Sequence, residues 1–138
     1  MKKSAGIILI KNNKILLCHP TNAPWFGTFS FPKGTLEKNE NTLDAAIRET
    51  HEEVGILIDK KDISDYVGII DYLDKNGKLY KKVYYYIAHV NNISDVIPKT
   101  QLQLEEVDYA CFYNYEEAKE KIFHRFDTIL NLIKNEKN

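Results

Sequence analysis

Three glutamates, Glu49, Glu52 and Glu53, stand three and four residues apart in the stretch GTLEKNENTLDAAIRETHEEVGI, residues 34–56. On an α-helix, with about 100° between successive residues, that spacing turns all three carboxylates to one face. Like charges so placed repel by roughly 0.2–0.5 kcal/mol per pair even in water. A bound cation relieves the repulsion. Hard oxygen donors suit Mg²⁺ or Mn²⁺ and not the soft metals. Mg²⁺ also keeps coordination positions for phosphate oxygens. The chemistry such a patch could do is metal-assisted hydrolysis of a pyrophosphate. A solvated acidic helix face has the same three glutamates, so the positions around them must decide.

The elements that would position the patch can be read from the pattern. A helix is expected over 41–54, with Asn41 or Thr42 as N-cap, Asp44 in the first turn and Gly55 as C-cap. Leu43, Ala46, Ile47, Thr50 and Val54 share an arc of about 100° that can pack on a sheet. Ala45, one turn before Glu49, leaves room above the glutamates. Ala5–Ile10 and Ile15–His19 flank the turn signal Asn12-Asn13 and read as a hairpin. Residues 20–28 read as a loop, and Phe29-Ser30-Phe31 as a short extended piece stopped by Pro32. Val67–Leu73 and Lys81–Val90 read as strands around Lys75-Asn76-Gly77, and Val107–Tyr113 as another. Ala118, Ile122, Phe126, Ile129 and Ile133 predict one terminal helix over Tyr115–Lys134. The order predicts an α/β fold, a mixed sheet with helices packed on it.

The 138 residues predict one domain, 1–138, with a core of its own. A net charge of −1 argues against general electrostatic attraction to nucleic acid. No run approaches 18 apolar residues, and the apolar stretch after the N-terminus is too short for a secretory signal. A cytoplasmic placement and no membrane partner are therefore expected. Cys18 and Cys111 are isolated and read as reduced, buried thiols.

Residues 34–56 resemble the Nudix box, G-x5-E-x7-R-E-U-x-E-E-x-G-U, where U is a bulky apolar residue. Gly34, Glu40, Arg48, Glu49, Glu52, Glu53, Gly55 and Ile56 match it, and Thr50 departs where an apolar residue is usual. The resemblance implies a Nudix α/β/α sandwich and hydrolysis of a nucleoside diphosphate linked to another moiety. It implies Mg²⁺, or Mn²⁺, on Glu49, Glu52, Glu53 and the main-chain carbonyl of Lys33. It makes Glu40 and Arg48 a brace, and Gly34 and Gly55 backbone positions. Glu53, Glu52 and Glu49 would carry catalysis, joined by Glu106, which aligns with a glutamate of the family's late loop.

Within the family, FPKG (31–34) and KKVYYYIAHV (81–90) resemble diadenosine tetraphosphate hydrolases. That likeness implies Lys33, Lys81, Tyr85, Tyr72 and His19 as substrate-binding residues, with Lys81 and His19 on phosphate and tyrosines in the pocket. Phe29 stands where that subfamily usually has tryptophan, and Trp25 is the nearby aromatic that could replace it. Tyr84, Tyr85 and Tyr86 alternate faces on a strand, so at least one belongs to the core. The expected substrate is a small nucleotide, diadenosine tetraphosphate cut to ATP and AMP. The alternatives are pyrophosphate removal from an RNA 5′ end, favoured by a basic groove at Lys33, Lys38, Lys81 and Lys82, a nucleoside triphosphate pyrophosphatase, and a non-catalytic nucleotide sensor.

Overall fold

A computed structural model describes residues 1–134. Six strands, β1 (Lys2–Lys11), β2 (Lys14–Pro20), β3 (Lys33–Thr35), β4 (Ile63–Leu73), β5 (Leu79–His89) and β6 (Val107–Tyr113), form one mixed sheet in the order β4-β5-β1-β2-β6. β3 pairs antiparallel with β1, and β1 with β5 is the parallel pair. Three helices flank it: α1 (Thr42–Val54), α2 (Tyr115–Lys121) and α3 (Asp127–Leu132).

The run Ala5–Ile10 is buried on both faces of the sheet, which is why it reads as continuous apolar sequence and not as alternation. Ala5, Ile7 and Leu9 face one core together with Ala45, Ala46 and Val54 of α1. Ile8 and Ile10 face the other core with Ala118, Ile129 and Leu130 of α2 and α3. The molecule is thus an α/β/α sandwich. Asn12 and Asn13, with φ of 49° and 64°, close the β1–β2 hairpin in the left-handed region that short asparagine side chains tolerate. Among the described residues no helix is long and apolar enough to cross a membrane.

α1 forms where the pattern places it. The Asn41 side chain accepts from the Asp44 N–H, and Gly55 ends the helix at φ 73°. Leu43 and Ile47 are only partly buried, while Ala45 is fully buried against the sheet. Ala45 is therefore a contact to the sheet and not open space.

The terminal helix is a correction. Its apolar positions are all buried, but the helix is broken into α2 and α3 around a tight turn at His124–Phe126. The cause lies far away in sequence. The Phe29 N–H donates to Lys121 O (3.1 Å), and the Phe123 N–H donates to Phe29 O (2.9 Å). Those bonds hold Ile122 extended at ψ 145° and divert the carbonyl and amide that would have continued the helix. β4 also begins four residues earlier than the pattern suggested, and β3 follows Pro32 in residues to which the pattern assigned no element.

Candidate active site

β3, α1 and the loop before β6 meet at a cleft of about 310 Å³. It is lined by Lys33, Gly34, Thr35, Glu49, Glu52, Glu53, Lys81, Gln103 and Glu106. Sequence positions up to 73 residues apart thus converge, among them Glu49, Glu52, Glu53, Glu106, Lys33 and Lys81, all named from the sequence, and the box glycine Gly34.

Two glycines let β3 come close enough. A Cβ on Gly6 would overlap the Pro32 carbonyl, where β1 crosses β3. A Cβ on Gly34 would overlap the Glu49 carboxylate. Gly34 is needed for close approach and not for an unusual φ. Lys33 N–H then reaches Glu53 Oε1 at 3.1 Å.

Glu53 is only 6% exposed. Burial pushes its pKa up to about 7, partly opposed by the Lys33 charge and the Lys33 N–H. Burial also raises the Glu49 carboxyl, opposed by Arg48. Two carboxylates withdrawn from water with too little positive charge beside them are a site that favours a cation. Arg48 supplies part of it. Its Nη1 donates to Glu49 Oε1 at 2.7 Å and to Glu52 at 3.1 Å. Its Nε and Nη2 grip the two Glu40 oxygens at 2.9 Å each, and Nη2 also donates to Thr35 O at 3.0 Å. Arg48 thus ties the 35–40 loop to α1.

With Arg48 on Glu49 and Glu52, no group of three carboxylate, imidazole or thiolate side chains encloses a single metal position among the described residues. The acidic side chains lining the cleft, Glu49, Glu52, Glu53 and Glu106, offer oxygen donors alone. That chemistry fits a hard divalent cation and no soft one.

The loop before β6 is tied to α1. Gln103 N–H donates to Glu53 O at 2.9 Å, and Glu106 N–H to Gln103 O at 2.8 Å. This turn carries the Glu106 side chain to the cleft, while its neighbour Glu105 is not among the lining residues. Gln103 was missed by sequence reasoning, since no local pattern marks a loop residue pinned to a helix end.

Three expected binding residues lie elsewhere. Tyr85 is fully buried between Phe31 and Phe126, and its hydroxyl has no hydrogen-bond partner. Tyr72 is 7% exposed and packs in the same core. His19 is 4% exposed, with Nδ1 on Asp108 (2.6 Å) and Nε2 on Pro24 O (3.0 Å). Both imidazole nitrogens are thus occupied within the protein. The ring packs on Trp25 and Phe29, so the Trp25 loop is pinned to β2 and β6. Cys18 and Cys111 are free and buried, as expected.

Comparison with known proteins agrees with this geometry. The NUDIX domain pattern matches residues 1–131. The mRNA-decapping enzyme subunit 2 of Saccharomyces cerevisiae is 30% identical over 112 residues, 80% of this chain. The chain spans only 10% of the length of that relative. An ADP-ribose pyrophosphatase of Methanocaldococcus jannaschii is 42% identical over 50 residues, 36% of this chain and 30% of that protein. The crystal structure of a C. elegans Ap4A hydrolase binary complex superposes with a TM-score of 0.71 at 26% identity, covering 95% of this chain and 93% of that one.

Proposed function

This chain belongs to the NUDIX family, and from that premise we propose that it hydrolyses a phosphoanhydride bond in a dinucleoside polyphosphate, diadenosine tetraphosphate being the substrate that fits best. The observation that carries the reading is the cleft itself, which Glu49, Glu52, Glu53 and Glu106 line together with Lys33 and Lys81. Carboxylates and ammonium groups lining one cleft suit a metal-neutralised phosphate chain.

Glu49, Glu52, Glu53 and the Lys33 carbonyl are the groups that would hold Mg²⁺ or Mn²⁺. Such an ion, when bound, neutralises phosphate oxygens and makes water a better nucleophile. The chain's own residues do the rest. Lys33 and Lys81 bind phosphate oxygens and orient the phosphorus. Arg48 and Glu40 keep the 35–40 loop on α1. Glu106 takes the proton as a water oxygen bonds to phosphorus and the bridging P–O bond breaks, the leaving phosphate departing as an anion. Glu53 lies deepest and is the alternative acceptor.

The likeness to a decapping enzyme supports a second reading, action on an RNA 5′ end. A panel of diadenosine tetraphosphate, ADP-ribose, nucleoside triphosphates and triphosphorylated RNA, assayed with Mg²⁺ and product identification, separates the two. ATP plus AMP as the fastest products supports the first reading; equal rates on ADP-ribose overturn it.

A further inference from the structure

The positive wall of the cleft continues past Lys81. Lys2 stands opposite Lys81 in the parallel β1–β5 register, and Tyr72 stands opposite Lys81 across β5–β4. Directly paired residues share a face of a sheet. Lys2, Lys81 and Tyr72 therefore form a row on the face where α2 and α3 pack, because Tyr72 belongs to that core.

Arg125, one of the chain's two arginines, comes down on this row from the turn between α2 and α3. Its guanidinium carbon lies 3.8 Å from the centre of the Tyr72 ring, and Lys81 Nζ lies 4.9 Å from the same ring. Among the described residues, none of Lys2, Lys33, Lys81 and Arg125 makes an ion pair. Burial lowers the Lys81 pKa, and the charges of Lys33, Lys2 and Arg125 lower it further. The Glu53 charge opposes this shift only in part, so a row of mutually repelling cations at the edge of the cleft favours an anion. Stacking on Tyr72 uses the face of the guanidinium and leaves its N–H edges free for oxygen acceptors.

We propose that Arg125, with Lys81 and Lys2, forms an anion subsite beside the carboxylate patch that holds phosphate groups remote from the bond being cut. The subsite selects substrates whose phosphate chain is longer than a diphosphate. This rests on the reading of the cleft as a phosphoanhydride hydrolase, and it names the residue that discriminates among its substrates. Arg125 acts there in binding and not in bond cleavage.

The test uses Arg125→Met, which keeps an apolar stem over Tyr72, and Arg125→Lys, which keeps the charge. Inorganic tripolyphosphate is titrated calorimetrically into the metal-free proteins, and KM and kcat are measured on diadenosine tetraphosphate and ADP-ribose. Arg125→Met is expected to weaken tripolyphosphate binding about tenfold, or about 1.4 kcal/mol, with Arg125→Lys in between. The KM for the tetraphosphate should rise about tenfold relative to that for ADP-ribose, with kcat changed by less than about twofold. Unchanged tripolyphosphate affinity, or an equal rise in KM on both nucleotides, overturns the subsite and leaves Arg125 as a cover for Tyr72. If the wild-type protein hydrolyses none of the panel, the proposed reaction fails, and the tripolyphosphate titration still decides the subsite.

Discussion

The Arg48 guanidinium holds both carboxylate oxygens of Glu40 at 2.9 Å, so a loop residue and a helix residue eight positions apart are joined as a fork. This contact holds the Glu40 carboxyl below the usual carboxylate range. Its stabilisation is therefore present above the unfolded value of about 4.3 and is lost as pH falls below it through the folded one. Glu40→Gln keeps the shape and removes the charge. It should cost about 1 kcal/mol at pH 7, because both groups are largely buried but open to one side. It should also flatten the acid limb of the stability curve. Urea unfolding at pH 7 and pH 3 checks this, and equal losses at both would show that the charge is not the cause.

Glu53 presents the opposite sign. Burial raises its carboxyl to about 7, above the unfolded value of about 4.3. In metal-free protein its share of stability is complete below the unfolded value and is lost as pH climbs through the folded one. Glu53→Gln should therefore stabilise the metal-free protein at pH 8, relative to its effect at low pH, by roughly 3–4 kcal/mol while abolishing metal-dependent hydrolysis. Thermal melts at pH 5 and pH 8 with and without Mg²⁺ read both effects. Full activity in the variant would remove Glu53 from the metal site.

Phe29 is fully buried and packs edge-on against Trp25 and Tyr113 while its main chain splits α2 from α3. Phe29→Ala should cost about 3–5 kcal/mol in urea unfolding. Hydrogen exchange should show amides of 121–123 losing protection first. A loss below about 1 kcal/mol would mean that the Phe29 ring does not anchor this segment to the core.

What could be read from the sequence divides along the same line as local and non-local causes. α1 was legible because its cap residues, its apolar arc and Gly55 are all local signals. The converging glutamates followed from helix geometry alone. The α2–α3 break was not legible, because the Phe29 amide and carbonyl that cause it lie about ninety residues away. Gln103 and Arg125 were missed for the same reason: each owes its place to a contact with Glu53 or Tyr72 that no spacing announces. The strand Tyr84-Tyr85-Tyr86 shows the other limit. Alternation required that some tyrosine be core, but only the packing of Phe31 and Phe126 decides that it is Tyr85.

Tyr85 therefore gives a sharp test of the expected aromatic pocket. Its hydroxyl is enclosed, with Tyr72 nearby but no partner in hydrogen-bonding geometry, and burial pushes its pKa well up. An unsatisfied buried hydroxyl costs stability. Tyr85→Phe should leave stability unchanged or raise it by up to about 1 kcal/mol, because the ring contacts with Phe31 and Phe126 survive. KM on diadenosine tetraphosphate should stay within about twofold of wild type, since no lining atom of the cleft is lost. A KM raised tenfold or more at unchanged stability would mean that the core opens when nucleotide binds and that Tyr85 meets the base, restoring the role its place in KKVYYYIAHV implies.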